Sequence, residues 1–286
     1  GGVTFTDASV AETSITGGSG NDVITGSDSV ADAYGALIDT HSPVGRWTLG
    51  ESSGAPADST SNANAAILQN GASLGAAGPK TGVTAVSLDG SNDYVEIPDH
   101  SDYDLASGSI SLWFKADDVS GTQTLVSRDS SGYDGGGHLT VWLQSDGDIK
   151  VRHQDDTGDV YIQSNNLDVQ PGEWTHMVYS WGPGGVELIV DGVSEASSGT
   201  GRSLAGNDEP FTLGASQMSS GDGVANNLTQ YFEGDMAEFA VLGDQLTAAE
   251  AAALHSADWL EGDVITGGAG DDAIDGGANG GNVAVY

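Results

Sequence analysis

The sequence predicts an all-β protein in which a sandwich of two antiparallel sheets, with one short helix, is inserted in or flanked by a small β-roll. From residue 44 to about 242, hydrophobic and polar residues alternate at period two, and turn residues separate the runs. Ile110, Leu112 and Phe114 therefore share one face of a strand, which is typical of a strand that packs on a second sheet. A nine-residue, glycine-rich motif also recurs near both ends of the chain.

The composition excludes several classes of protein. The 286 residues include 7 lysines and arginines against 42 aspartates and glutamates, a formal net charge of −35. So few basic residues cannot neutralise the phosphates of a nucleic acid, and no apolar run is long enough for membrane insertion. The absence of cysteine removes disulfides and thiol chemistry. No basic segment followed by an apolar stretch opens the sequence, so we expect no N-terminal signal peptide.

The negative charge predicts a need for cations. A compact protein of this size exposes on the order of 11,000 Å², which leaves one net negative charge for every ~330 Å². Repulsion at this density destabilises the folded state unless divalent cations or a saline medium neutralise it. Carboxylate, amide and carbonyl oxygens favour Ca²⁺ over softer metals, so Ca²⁺ is the expected cofactor.

The repeated motif is predicted to bind this calcium. Residues 17–25 and 267–275 both fit the pattern G-G-x-G-x-D-x-U-x, in which U is apolar. The glycine-rich half forms a turn with positive φ angles, the aspartate and turn carbonyls hold the ion, and the last positions form a short strand. The ligand candidates are Asn21, Asp22, Asp263, Asp271 and Asp272.

The motif resembles the RTX (repeats-in-toxin) calcium β-roll, a family that Gram-negative bacteria secrete through the type I pathway. The resemblance implies an export address at the C-terminus, which agrees with the lack of cysteine and of an N-terminal signal. It further implies that the protein is secreted, extracellular or on the cell surface of a Gram-negative bacterium, in a saline environment.

The few repeats at each end are too short to be stable alone, because about three or more must bury one another. We therefore infer that the two ends meet and that the central domain is inserted in one roll. Asp22 and Asp272 would then lie on the same side and bridge one Ca²⁺, whereas Asp263 would lie in a weaker site in the other row. Two independent, frayed ends cut from longer arrays are the alternative.

These patterns set the expected domain boundaries. The divisions are repeat segments over 1–28 and 258–286, a linker over 29–43 and the sandwich over 44–257. Part of the linker, residues 29–37, favours a short helix that ends before Pro43. Near the end of the sandwich, Thr247 and Glu250 form a capping box that predicts a helix over 248–257.

Seven short motifs in the central region occur in the order of one family. They are residues 58–64, 88–97, 109–115, 172–177, 188–192, 211–214 and 232–239. Together they resemble the laminin-G-like, concanavalin-A-like jelly-roll domains of bacterial secreted proteins. The resemblance implies a jelly-roll sandwich that serves as a sugar-binding or adhesion module and rarely as a catalyst.

The same resemblance implies a structural Ca²⁺ near the loop 58–64. Asp58 and Asn64 match ligand positions, backbone carbonyls near residues 60–62 would assist, and Glu238 matches a further carboxylate from the last strand. The alternative is a turn whose aspartate and asparagine side chains bond to their own backbone.

A sugar site needs an aromatic ring for the apolar face of the sugar and polar groups for its hydroxyls. Trp142 shares a face with His138 opposite the hydrophobic residues of its strand, and Trp113 is placed similarly. Two polar loops add further aromatic residues. The candidate ligand-binding residues are Trp113, Tyr133, Asp134, His138, Trp142 and Tyr161. An outward tryptophan in a sandwich is often covered by a loop, which is the structural alternative.

One acidic stretch is similar to a catalytic signature. Residues 233–238 read E-x-D-x-x-E, as in laminarinase-type retaining glycosidases, where the first and last glutamates act as nucleophile and acid/base. These are Glu233 and Glu238 here, with Asp235 between them. Because Gly234 replaces a branched aliphatic residue and the motif falls on the family's last strand, we expect a non-catalytic stretch.

The favoured function is that of a calcium-dependent module of a type I secreted RTX protein, which binds a glycan or another cell-surface or matrix component. The first alternative is a structural subunit of a surface layer, matrix or filament that self-assembles through Ca²⁺. The second is a retaining glycoside hydrolase that uses Glu233 and Glu238.

Overall fold

The structure is a computed structural model in which two compact units are found. It describes residues 4–6, 14–16, 23–25, 33–80, 82–131, 135–165, 167, 169–221, 223–257, 264–266, 273–275 and 283–285. The repeat unit comprises Gly1–Thr40, Lys80–Gly82 and Ala257–Tyr286, and the sandwich unit comprises His41–Pro79 and Val83–Ser256.

The elements are numbered in chain order. The strands are β1 (Thr4–Thr6), β2 (Ser14–Thr16), β3 (Val23–Thr25), β4 (Pro43–Trp47), β5 (Ile67–Gln69), β6 (Ser73–Ala77), β7 (Thr84–Asp89), β8 (Tyr94–Ile97), β9 (Gly108–Ala116), β10 (Gln123–Arg128), β11 (His138–Leu143), β12 (Ile149–Asp155), β13 (Gly158–Gln163), β14 (Thr175–Gly182), β15 (Gly185–Val190), β16 (Val193–Ser198), β17 (Phe211–Leu213), β18 (Glu233–Leu242), β19 (Val264–Thr266), β20 (Ala273–Asp275) and β21 (Val283–Val285). The helices are α1 (Ala33–Asp39) and α2 (Ala248–Ser256), and one 3₁₀ turn spans Ser101–Tyr103.

The sandwich unit consists of two antiparallel sheets. One has seven strands in the order β13-β12-β11-β10-β17-β8-β5, and the other has the order β16-β15-β14-β9-β18-β7-β6, with β4 as an eighth strand paired to β18. Helix α2 follows the last strand, and its start is capped as predicted: the Thr247 backbone N–H donates to Glu250 Oε2 at 2.8 Å. The predicted all-β sandwich with one short helix is therefore confirmed.

The core lies between the sheets and uses one side of each strand. Ile110, Leu112 and Phe114 of β9 are fully buried, as are Leu139 and Val141 of β11. Burying each such side chain stabilises the fold by about 1.5–3 kcal/mol relative to leaving it exposed. A shift of one residue in any strand would expose this whole set, so the core fixes which side chains face outward.

Stacked aromatic rings occupy the centre of the core. Trp47 stacks on Phe239 with ring centroids 5.8 Å apart, and Phe211 packs edge-on against Phe239 at 5.7 Å and against Tyr103 at 5.5 Å. The Trp47 indole N–H donates to the Asn64 carbonyl at 2.8 Å. The loop 58–64 is thereby joined to the centre of the sandwich.

Strand β18 contains a bulge that reorients Glu238. Its register with β9 shifts between Ala237 and Ala240, and Glu238 has a φ angle of 52°. The Glu238 backbone N–H donates to the Thr48 carbonyl at 3.0 Å. The side chain meets Arg46, whose Nε and Nη2 lie 3.1 and 3.0 Å from Glu238 Oε2, and both side chains are buried. This pair ties β4 to β18.

Strands from the two ends of the chain pair in the repeat unit. Parallel three-stranded sheets form in the orders β1-β3-β20 and β2-β19-β21. Ile24 is paired with Ile274, and Ile15 with Ile265. The inference that the two ends meet is thus confirmed for these strands, and two independent ends are excluded.

The segment expected to be a linker is partly structured. Within 29–43, α1 forms where a short helix was favoured, and its Tyr34 and Ile38 are fully buried. Pro43 already opens β4 of the sandwich unit. Burial of these two side chains gives the segment a packing role that a plain linker would lack.

We expect Arg46→Met to lower the free energy of unfolding by about 3–5 kcal/mol, because it leaves the Glu238 carboxylate buried without its cation. Chemical denaturation measures the change. In the double variant Arg46→Met/Glu238→Leu most of the loss should be recovered, since no buried charge remains. Equal losses in the single and double variants would contradict this role of the ion pair.

Candidate functional site

Three of the six predicted ligand-binding residues lie on one surface of the seven-stranded sheet. His138 and Trp142 of β11 and Tyr161 of β13 alternate with core residues of their strands and so point away from the core. Across the strands, Trp142 is opposite Lys150 and Arg152 is opposite Tyr161. We call this surface the outer face of β11–β13 and define it by Trp142, Lys150, Arg152, Tyr161 and Gln163.

Tyr161 is the exposed aromatic residue of the outer face. Its side chain is 52% exposed, and Lys150 Nζ lies 5.3 Å from the centroid of its ring. An ammonium group at this distance interacts favourably with the ring electrons. The pair therefore offers a flat apolar surface with a cation beside it.

Trp142 is covered, contrary to the expectation that it would stack on a ligand. It is 7% exposed, and its indole N–H donates to Gln230 Oε1 at 3.0 Å. The backbone N–H of Thr124 also donates to the Gln230 carbonyl at 2.8 Å, which holds this residue against the sheet. Trp142 is thus the part of the outer face that Gln230 covers, and Tyr161 is the exposed ring.

The buried carboxylate of Asp129 holds outward-pointing polar side chains of β11 and β12 in place. Asp129 Oδ2 lies 2.9 Å from Arg152 Nη1 and accepts a hydrogen bond of 2.7 Å from the Thr140 hydroxyl. Asp129 Oδ1 lies 3.2 Å from His138 Nδ1, and both of these side chains are 1% exposed. Because charge-assisted contacts of this kind are short and directional, Arg152 is held in one orientation.

His138 carries a positive charge at neutral pH. Burial acts to lower the pKa of its imidazole, but the contacts with Asp129 and the Gly135 carbonyl, and the charges of Asp129 and Glu209, outweigh burial and raise the pKa to about 9. His138 Nε2 lies 2.9 Å from the Gly135 carbonyl. The single carboxylate of Asp129 therefore faces two cations, His138 and Arg152.

Trp113 lies in β9 of the other sheet and is covered, so it offers no surface to a ligand. It is 3% exposed and stacks on His176 at 4.8 Å and on His255 at 5.4 Å between ring centroids. His255 belongs to α2, which covers this part of the sheet with its buried residues Ala251 and Leu254. The structural alternative for this tryptophan is therefore correct.

Other predicted residues fall outside the described part of the chain, and their roles stay predictions. They are Tyr133 and Asp134 of the ligand set, and Asn21, Asp22, Asp263, Asp271 and Asp272 of the repeat motif.

The loop 58–64 has the geometry of a self-bonded turn. Asp58 Oδ1 accepts from the backbone N–H groups of Thr60 at 2.9 Å and Arg46 at 3.1 Å, and Oδ2 accepts from the N–H of Asn64 at 3.0 Å. Glu238 is bound by Arg46, as described above. A carboxylate that accepts such hydrogen bonds keeps lone pairs for a cation, so the Ca²⁺ that the family resemblance implies at Asp58, Asn64 and Glu238 stays a prediction.

The acidic stretch at the start of β18 is divided among different surroundings. Glu233 is exposed, Asp235 Oδ2 lies 2.7 Å from Lys115 Nζ, and Glu238 is paired with Arg46. Across the described ranges, no three histidine, cysteine, aspartate or glutamate side chains converge as a metal site.

Sequence reasoning missed Lys150, Arg152 and Asp129. A signal existed for the first two, because they alternate with core residues in β12 and are two of only seven basic residues. Asp129 had no such signal, since its partners come from β11 and β12 and are 9, 11 and 23 positions away in the sequence.

A family model matches residues 89–252, and its description is the concanavalin A-like lectin/glucanases superfamily. This match covers more than half of the chain. The chain belongs to this superfamily. Among curated proteins, none matches the sequence.

Solved structures of low sequence identity share the fold of this superfamily member. Domain 4 of AbnA, an extracellular GH43 arabinanase from Geobacillus stearothermophilus solved with arabinotriose, has a TM-score of 0.57 at 18% identity, over 75% of this chain and 98% of that domain. The botulinum neurotoxin serotype D ligand-binding domain, solved with N-acetylneuraminic acid, has a TM-score of 0.57 at 12% identity, over 78% and 52%. The binding domain of Paraclostridial Mosquitocidal Protein 1 has the same score at 14% identity, over 77% and 52%. This chain thus matches about half of each toxin domain.

Among the described residues of this superfamily member, no helix is both long enough and apolar enough to cross a bilayer.

Two further histidines, His153 and His176, are buried as neutral groups. Burial lowers the pKa of His153 and His176 to about 3. His153 Nδ1 lies 2.9 Å from the Tyr179 hydroxyl, and His176 Nε2 lies 2.9 Å from the Ser111 hydroxyl.

These histidines predict a stability maximum near pH 6.5, the pKa of an unfolded histidine. Below it, His153 and His176 take up protons only on unfolding, so stability falls with acidification. Above it, His138 is protonated in the folded state alone, so stability falls as the pH rises to about 9. Each group contributes up to about 1.4 kcal/mol per pH unit.

Urea denaturation from pH 5 to 10 measures this profile. His138→Gln should remove the fall above pH 6.5, whereas His100→Gln, at a half-exposed surface position, should keep it. A wild-type profile that is flat between pH 6.5 and 9 would contradict the charge assigned to His138.

Proposed function

We propose that this protein is an extracellular, calcium-dependent carbohydrate-binding module that holds its glycan on the outer face of β11–β13. The observation that carries the proposal is Tyr161, a half-exposed ring with Lys150 beside it and Arg152 opposite it on β12. Sugars pack their apolar face on such rings and hydrogen-bond to the flanking polar groups.

The fold comparisons support binding of a saccharide. The arabinanase domain was solved with arabinotriose and the neurotoxin domain with N-acetylneuraminic acid. Their sequence identity is too low to transfer individual contacts, so the site is argued from the side chains of this chain.

Three observations support the dependence on calcium. The repeat motif supplies carboxylates within glycine-rich segments at both ends of the chain, the strands next to these segments pair with each other, and the net charge is −35. An ion that bridges the ends stabilises the folded state by its binding free energy. In a calcium-poor cytoplasm the chain would stay unfolded and exportable, and outside a Gram-negative cell it would fold.

The surroundings of the acidic stretch support binding rather than hydrolysis. Asp235 and Glu238 each lie within 3.0 Å of a basic side chain. A retaining glycosidase needs a nucleophile and a protonated acid that both face the substrate, whereas Glu238, in the position of the acid/base, is buried against Arg46 and Glu233 is exposed.

Tyr161→Ala should weaken glycan binding about tenfold, which corresponds to about 1.4 kcal/mol, because it removes the stacking surface. A glycan array on the wild type selects the ligand, and calorimetry then compares the variants. Val193→Ala, which shortens an exposed side chain on the other sheet, is the matched control and should bind as the wild type. An array without any hit, or full affinity of Tyr161→Ala, would overturn the proposal.

Removing calcium should lower the melting temperature and expose the repeat unit to proteolysis, because the charges at the two ends then repel each other. Melting curves with CaCl₂, with MgCl₂ and with a chelator measure the shift. The double variant Asp22→Asn/Asp272→Asn should lose most of the shift, and Asp146→Asn, on an exposed turn of the sandwich, should keep it. Coincident curves with and without chelator would refute the calcium dependence.

A further inference from the structure

We propose that the outer face of β11–β13 selects a glycan that carries an anionic group, a carboxylate or a sulfate, and that Lys150 and Arg152 bind this group beside Tyr161. The inference rests on the proposed function and adds the class of ligand. It depends on where the few basic residues of this acidic chain lie and on what holds each of them.

Most basic residues serve internal contacts. Arg46 is paired with Glu238, and Lys115 with Asp235. Arg128 is fully buried, with Nη2 2.7 Å from Asp99 and Nη1 3.1 Å from the Leu204 carbonyl. Arg202 donates to the Thr157 hydroxyl at 3.0 Å and lies 3.8 Å from Asp155. These side chains stabilise the sandwich and are not offered to a ligand.

Lys150 is placed differently. Among the described residues, no carboxylate oxygen lies within 4.0 Å of its ammonium group, which lies over the ring of Tyr161. Its side chain is half-buried, so its stem is positioned while its head reaches solvent. A lysine ammonium that sits over an aromatic ring at the surface can donate to an anion on a sugar that stacks on the same ring.

Arg152 adds a second cation, two residues along the same strand. Successive side chains on one face of a strand are about 6.6 Å apart, so Arg152 lies opposite Tyr161 and Lys150 lies one outward position away, opposite Gln163. The inner nitrogen of Arg152, Nη1, is held by Asp129, while Nη2 lies 3.8 Å from Asp159, whose side chain is 42% exposed. This second contact is longer than a charge-assisted hydrogen bond, so a ligand anion can replace Asp159 at Nη2.

The outer face is far less acidic than the protein as a whole. His138 and Arg152 share the one carboxylate of Asp129, which leaves one positive charge in the buried cluster. Lys150 adds a second and Asp159 removes one. Glu209 also acts on His138, so the charged groups around the outer face sum to about zero, in a protein of net charge −35.

Because salt screens long-range repulsion, contacts within the outer face decide which sugars bind. At physiological ionic strength, charges more than about 8 Å apart are largely screened, so the rest of the acidic surface weakens the binding of an anionic sugar only moderately. A direct contact with two cations then discriminates between charged and neutral sugars. Long polyanions cross more of the acidic surface than short ones, so short oligosaccharides are the suitable probes.

The test uses three matched oligosaccharides with the whole chain, in CaCl₂ and about 0.15 M NaCl. They are trigalacturonate, its methyl ester and a sulfated galactose trimer, and calorimetry gives each affinity. We expect one of the two charged trimers to bind at least about tenfold tighter than the neutral ester. The charged trimer with the higher affinity shows whether the site prefers a carboxylate or a sulfate.

Variants assign the preference to the outer face. Lys150→Gln should reduce the preference at least about fivefold, Lys150→Arg should restore it, and Lys80→Gln should leave it unchanged, because Lys80 is exposed and belongs to the repeat unit. Arg152→Gln should also reduce the preference for the charged trimer. Because Arg152 is buried, its melting temperature is recorded to show that the variant is folded.

The outcomes separate this inference from the proposed function. Equal affinity for charged and neutral trimers, or an unchanged preference in Lys150→Gln, would overturn the inference that the ligand is anionic. Binding that is lost in Tyr161→Ala would still support a glycan site on the outer face. If no trimer binds and the glycan array shows no hit, the proposed function itself fails.

Discussion

Burial of alternate side chains between the two sheets is the constraint on which the rest of the structure depends. Each strand is locked in register, because a slip by one residue would expose its hydrophobic set. Val151 and Ile162 are held in the core, so Lys150, Arg152 and Tyr161 must face outward. The core residues therefore fix the geometry of the candidate site, although no ligand on the outer face contacts them.

Charge is the second constraint. With 42 acidic and 7 basic residues, each cation has a local structural consequence. Arg46 holds the bulged residue Glu238, Arg128 gathers backbone carbonyls inside the sandwich, and Asp129 is shared between Arg152 and His138. The proposed roles of calcium at the ends and of Lys150 on the outer face follow the same logic, since both place scarce positive charge where negative charge must be held.

Part of the site was predictable and part was not. His138 and Trp142 could be placed on one surface because strand periodicity decides which way a side chain points, whereas Tyr161 was assigned to a polar loop and lies in β13. Whether an outward ring is open depends on what packs over it, and this is a matter of distant segments. Helix α2 covers Trp113 and Gln230 covers Trp142. The contacts of Asp58 and Glu238 were hidden for the same reason, because both carboxylates accept hydrogen bonds from Arg46, 12 and 192 positions away.

By itself, the sequence determined the all-β sandwich, the capped helix α2 and the meeting of the two ends, because each follows from local periodicity, a capping pair or a repeated motif. Only the tertiary structure decided that Tyr161 is the exposed ring of the outer face, which basic residues pair with Glu238 and Asp235, and that Lys150 lies over Tyr161. These depend on contacts between residues far apart in the chain, such as Arg46 with Glu238, 192 positions away. Local patterns carry no information on such pairs, since burial and charge compensation are set when the sheets pack together.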